Sequence, residues 1–152
     1  MALKISWPRI LAVAILYAIV SEIVMTLGAM ADMSYYMDAN YFSAWSKLMM
    51  PAAGPPPAEF YYTGIIFQLV TGFLFALVYR VIKGSVPGKG WNNKGLMYGF
   101  LVFLVAGIPT TFMLVLLINL PIGLLLSWML QSLVVYLIGG LLAAKIIIDQ
   151  KK

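Results

Sequence analysis

The chain predicts an all-α integral membrane protein, a bundle of four transmembrane helices with a short interfacial helix in the external connection between the first two. Three observations carry this. Of 152 residues, 63% are hydrophobic and 10% charged, whereas soluble domains hold about 45–50% apolar and about 25% charged residues. From Lys94 to Lys145 the chain runs about 50 residues without a charge, punctuated only by Asn119, Leu120 and Pro121. A hydrocarbon core about 30 Å thick is crossed by roughly 20 apolar helical residues, so this run is two spans joined by a hairpin.

Ile10 to Ala31 and Phe60 to Ile82 are also long enough to cross. The spans are expected at about 8–31, 60–82, 95–118 and 122–147, with an external connection at 32–59 and a cytoplasmic loop at 83–94. Residues 1–152 then form a single membrane domain, with nothing left over for a soluble one. Lys4, Arg9 and the string Ala29-Met-Ala31 imitate a signal peptide with its cleavage site. Its apolar run is too long for one and Glu22 interrupts it, so the segment reads as the first span.

Lys and Arg set the expected orientation. Lys4 and Arg9 precede the first span, Arg80, Lys83, Lys89 and Lys94 surround the second connection, and Lys145, Lys151 and Lys152 follow the last span. The connection from Asp32 to Glu59 holds three acids against Lys47 alone. The excess of bases on one side places both termini and the 83–94 loop in the cytoplasm.

Within the external connection, Tyr41, Phe42, Trp45, Leu48 and Met49 recur at helical spacing and make one apolar face. Asp38 or Asn40 can cap its start and Pro51 ends it, which predicts a short helix near 39–50 lying in the headgroup region. Tyr41, Phe42 and Trp45 are its interfacial anchors, and Trp7 and Trp91 play that part at the opposite interface. The three prolines at 55–57 then enforce a stiff, extended spacer before the second span.

The glycine-rich loop Lys83 to Lys94 lacks the spacing of a phosphate-cradling motif. Its bases are expected to attract anionic lipid headgroups, at about 1 kcal/mol each near a membrane surface. No nucleic-acid signature accompanies the net charge of +5. Cysteine and histidine are both absent, which excludes disulfides, thiol redox catalysis, zinc sites with Cys or His ligands, and histidine acid–base catalysis. No cofactor motif is present and no enzyme is predicted. Met33 and Met37 have the spacing of a thioether Cu(I) pair, but methionine is also a common filler of irregular gaps, and no metal site is predicted.

What remains is polar chemistry inside the spans. A carboxylate there costs about 2.5–3.5 kcal/mol on insertion scales, and Glu22 is the acid that lies in one. Counted from the external ends, Glu22, Gln68 and the pair Thr110 and Thr111 lie about eight residues deep and Gln131 about ten. At about 1.5 Å per residue these five form a candidate buried polar layer for a proton, an ion or a small substrate. Small residues recur every fourth position beside them: Ala14 and Ala18 before Glu22, Gly64 and Gly72 around Gln68, Gly95, Gly99 and Gly107 before Thr111, and Gly139 beyond Gln131. Such stripes let membrane helices approach closely. They are the expected packing faces, although a strict four-residue stripe drifts about 40° per step.

Two readings of Glu22 follow. It is either a protonated pin bonded to Gln131 or Gln68 that sets helix register, since desolvation raises a carboxyl pKa, or a titrating carboxylate with Gln68, Thr111 and Gln131 as neighbours. Pro109 would help the second by freeing a backbone carbonyl. The string from Ala18 through Glu22 to Thr26 resembles the first helix of small multidrug resistance transporters, and what the resemblance implies is a membrane carboxylate that binds protons and cations. The long external connection and the consistent charge bias depart from that family. Two functional classes therefore stay open: a non-catalytic subunit packing into a homo-oligomer or heteromeric complex, and a small transporter or channel built around Glu22.

Overall fold

The computed structural model describes residues 6–52 and 54–148. Lys4, Lys151 and Lys152, which enter the charge argument, lie outside the described residues. Four helices are long and apolar enough to cross a membrane, and the chain is a small polytopic membrane protein. The first, α1, is Trp7–Ala31; a single helical turn, α2, follows at Met33–Tyr36 and a 3-10 turn at Ala39–Ala44. The second long helix, α3, is Ala58–Ile82, the third is built of α4 (Gly90–Val102) and α5 (Ile108–Leu117), and the last, α6, is Ile122–Ile146.

Two local differences from expectation have physical causes. The third long helix begins at Gly90, with Trp91, Asn92 and Asn93 exposed in its first turn, so the connection before it shortens to 83–89. Hydropathy marks where lipid begins, and a helix can start in the polar layer before that point. The second difference is a π-helical segment, Phe103–Gly107, between α4 and α5. Pro109 has no N–H to give the carbonyl four residues earlier and its ring crowds it; widening one turn to i→i+5 bonding absorbs the conflict.

Spatially, α1 packs between α3 and α6, and α6 packs between α1 and α4. The row α3, α1, α6, α4 closes through Tyr98, which is fully buried and donates its hydroxyl to the Phe75 carbonyl of α3 at 2.6 Å. Around it Tyr17, Phe75 and Tyr79 form an aromatic centre, with ring centroids of neighbours 4.6–5.2 Å apart. The core also includes Ile10, Val13, Ala143 and Ile147. These residues lie toward the end of the bundle that carries Arg9 and Ile148, here called the terminal end, where Arg9 donates to the Ile148 carbonyl at 2.8 Å. At the opposite end, which carries the 32–57 connection, α5 packs against α6, and Leu116 on its other side is 80% exposed.

The small residues account for this shape. A Cβ at Gly95 would stand 2.7 Å from the Gly140 carbonyl oxygen, and one at Gly99 would overlap the Tyr136 carbonyl, so α4 and α6 touch backbone to backbone. A Cβ at Gly72 would lie 2.9 Å from the Ala14 oxygen, which brings α3 equally close to α1. Ala14, Ala18, Gly72, Gly95, Gly99, Gly107 and Gly139 are all buried, while Gly64 is half-buried.

Gly99→Leu should therefore destabilise the bundle by about 1–3 kcal/mol or more, the range for forced overpacking. Gly84→Leu, at a position with open space around it, should change little. Denaturant unfolding in detergent, followed by circular dichroism, compares the two.

Candidate functional site

The five residues expected to share one polar layer are not joined to one another by hydrogen bonds. Thr110 is exposed on the outer face of α5. Thr111 is buried, but its hydroxyl turns back on its own helix and donates to the Gly107 carbonyl at 2.9 Å. Next to Pro109 the backbone is π-helical, with the Ile108 N–H donating to the Phe103 carbonyl. Gln68 donates to the Met25 sulfur at 3.5 Å. Gln131 donates to Asp32 and to Ser127.

Glu22 is half-buried on α1, faces Gly64 of α3, and receives no hydrogen bond among the described residues. The pin to Gln131 or Gln68 is therefore absent. The reason lies in helical periodicity. The face of α1 that meets the bundle runs through Ile10, Ala14, Tyr17 and Ser21 and continues to Gly28 and Asp32, a spacing that alternates four and three. The strict four-residue stripe Ala14, Ala18, Glu22 has rotated off that face by its third member.

Asp32, the first of the three acids of the external connection, is buried at 7% exposure. It terminates α1, its N–H donating to the Gly28 carbonyl at 2.9 Å. A carboxylate at a helix C-terminus faces the negative end of the dipole. The compensation comes from α6: Ser127 donates to Asp32 Oδ2 at 2.7 Å and Gln131 Nε2 to the same oxygen at 3.2 Å, while Gln131 also reaches Ser127 Oγ at 3.1 Å. Gly28 makes room, since a Cβ there would overlap the Gln131 amide. A signal was available in the sequence: Gly28 with Asp32 and Ser127 with Gln131 are both i, i+4 pairs, each presenting one face.

Beside this triad the connection folds back onto the bundle. Trp128 Nε1 donates to the Tyr36 hydroxyl at 2.8 Å, and Trp45 packs between Tyr36 and Trp128 in tilted contacts with ring centroids 5.2 and 6.2 Å away. Burial pushes the Tyr36 phenol above its ordinary pKa; the Trp128 N–H opposes this and the Asp32 charge adds to it, so Tyr36 remains a neutral acceptor. The amphipathic helix expected near 39–50 is thus a six-residue 3-10 turn, Ala39–Ala44, capped by the Asp38 side chain on the Asn40 N–H at 3.0 Å. At Trp45 the backbone becomes extended, because its ring is drawn into the bundle. Trp45 is buried, not a headgroup anchor, while Tyr41 and Phe42 are half-buried. Trp7 and Trp91 are 53% and 45% exposed at the terminal end.

A second polar feature is a cavity of about 190 Å³ between α1, α3 and α6, lined among others by Tyr17, Ser21, Gln68, Thr71, Ser132 and Tyr136. Ser21 is fully buried; Tyr17 interacts with it, but no hydrogen bond of good geometry reaches its oxygen. Met33 and Met37 are both largely exposed, on and just past α2. Among the described residues no three His, Cys, Asp or Glu side chains converge as metal ligands.

No family model matches the chain, and no curated protein or solved structure shows significant similarity to it. The likeness of α1 to small multidrug resistance transporters thus stays confined to that short segment.

Ser127→Ala should cost about 1–3 kcal/mol of stability, because the buried Asp32 loses its shortest donor. Asp32→Asn in the same background should recover part of that loss by lowering the charge left unbonded. The midpoint of thermal unfolding in detergent, read for both, checks the expectation.

Proposed function

We propose that the protein is a non-catalytic membrane component that works in assembly with other membrane-embedded chains, either its own copies or the partners of a heteromeric complex. The observation that supports this is Glu22. It lies well inside the long apolar helix α1, half-buried, next to the slot left by Gly64, and no group of its own chain bonds to it among the described residues. An unsatisfied carboxyl group in hydrocarbon is expensive, whether charged or neutral. A helix of a neighbouring chain seated over the α1–α3 groove would supply a donor to Glu22 and bury the groove. Both termini are proposed to face the cytoplasm, since Arg80, Lys83, Lys89, Lys94 and Lys145 gather at the terminal end and Asp32, Asp38 and Glu59 at the other.

A second reading, a small transporter or channel for protons, cations or small molecules, is favoured by the polar cavity around Ser21, Gln68 and Ser132. It lies within the apolar part of three long helices, and polar groups there are characteristic of substrate and ion pathways.

The two readings separate on defined variants. If the chain works by assembly, wild type and Glu22→Gln should form oligomers or complexes in native mass spectrometry from gentle detergent. Gly64→Leu, which fills the slot, should weaken assembly about tenfold, the scale of one lost interhelical hydrogen bond at about 1–2 kcal/mol. A wild-type chain that stays monomeric and carries no partner would sink this reading. Under the transport reading, Ser132→Leu should abolish flux in proteoliposomes with assembly untouched.

A further inference from the structure

The cavity of about 190 Å³ between α1, α3 and α6 has Ser21 in its wall. Ser21 is fully buried, and its hydroxyl has no hydrogen-bond partner of good geometry among the described residues. A helical hydroxyl can turn back on the carbonyl of the preceding turn, as that of Thr111 does; Ser21 does not. A buried hydroxyl left unbonded is costly, so a molecule in the cavity that bonds to Ser21 relieves that cost.

The rest of the wall states what such a molecule must be. Ser132 donates its hydroxyl to the Met129 carbonyl at 2.7 Å, which leaves its oxygen as an acceptor. Gln68 gives one amide N–H to the Met25 sulfur at 3.5 Å, a weak acceptor, and its amide oxygen accepts from no described residue. Tyr17 and Tyr136 add ring surface, and both rings are fixed by contact with Phe75, at centroid distances of 5.2 and 6.1 Å. None of the described lining residues carries a charge, and Glu22, next along α1, is turned toward Gly64. An ion here would stand uncompensated within the apolar layer, so the ligand is neutral. At about 30 Å³ per water molecule the cavity has room for about six water-sized groups. Hydroxyl groups suit the polar side, because each both donates and accepts, and a short carbon chain suits the tyrosine rings. Met25 and Thr71 are the exposed members of the lining and mark its rim.

We propose that this cavity binds a small neutral polyol of about six non-hydrogen atoms, the size of glycerol. Its hydroxyls bond to Ser21, Gln68 and Ser132, and its carbon chain lies against Tyr17 and Tyr136. As a substrate class for the cavity, this rests on the transport reading; binding and movement are measured separately.

The test uses the full chain in deuterated detergent, with glycerol as the probe and sucrose as the size control, read by saturation-transfer difference NMR. Glycerol should give a saturable signal and sucrose none. Ser132→Leu, which fills the cavity, should abolish the glycerol signal. Ser21→Ala should weaken binding about fivefold, the scale of one neutral hydrogen bond, while Thr110→Ala, on the outer face of α5, should stay within twofold of wild type. Because Ser21→Ala removes a hydroxyl that has no partner, its thermal unfolding midpoint without glycerol should not fall, and it carries the test should Ser132→Leu not fold. No saturable glycerol signal, a sucrose signal equal to that of glycerol, or a glycerol signal unchanged in Ser21→Ala would overturn the proposal. Light scattering from proteoliposomes after a step in solute concentration separates it from the transport reading. Glycerol bound but not moved would support the site and remove transport. Movement of other solutes without glycerol binding would overturn the polyol and leave transport standing.

Discussion

The backbone contact between α4 and α6 at Gly95, Gly99 and Gly140 is the constraint from which the rest of the bundle is built. In lipid, apolar side chains gain little by leaving one hydrocarbon surface for another, so close packing and internal hydrogen bonds must hold helices together. Glycine permits the closest packing available, and at this depth α4 lies near enough for Tyr98 to reach past α6 to the Phe75 carbonyl of α3. That hydroxyl would be costly to bury without a partner. Its bond links the two outer helices of the row and fixes where the aromatic centre of Tyr17, Phe75 and Tyr79 can form.

A bundle drawn tight at one end is free to differ at the other. Toward the 32–57 connection, polar bonds join the glycine contacts, with Gly28 making room for the Gln131 amide. Asp32 there carries an unfavourable position at the negative end of α1, offset by Ser127 and Gln131. Trp45 folds onto the same region, which ties the long connection to α6 through Trp128. The molecule thus has a dry aromatic core near its termini and a hydrogen-bonded cap at its opposite end. Between them lies the polar cavity beside Ser21.

Charge is distributed to the same plan. The bases Lys83 and Lys94 at the terminal end close the carbonyl ends of α6 and α3, so charged side chains there finish the helices. Glu22 is the exception to this economy. It sits on the α3 side of α1 without an internal partner among the described residues, and for that reason it is the residue through which the protein's relation to its surroundings is most directly addressed.

The four long helices were legible in the chain itself, because a run of apolar residues of membrane length admits few other structures once every backbone group must bond internally. The small residues at Gly72, Gly95 and Gly99 were legible as packing sites for the same reason. Which polar groups meet was not. A four-residue stripe rotates off a helix face within two steps, so spacing alone pointed to Glu22 where the packed face carries Ser21, Gly28 and Asp32. Trp45 likewise reads as an interfacial anchor by its periodicity, yet its ring is captured by Tyr36 of the same connection and by Trp128, which is distant in the chain. Hydropathy and length are local sums, and the sequence by itself determined what depends on them: the number of spans, their apolar extents and the glycines that could bring them close. Rotation about each helix axis is settled by contacts between distant segments, so only the tertiary structure decided that Asp32 is buried and that Glu22 turns toward Gly64 of α3 and away from Gln131.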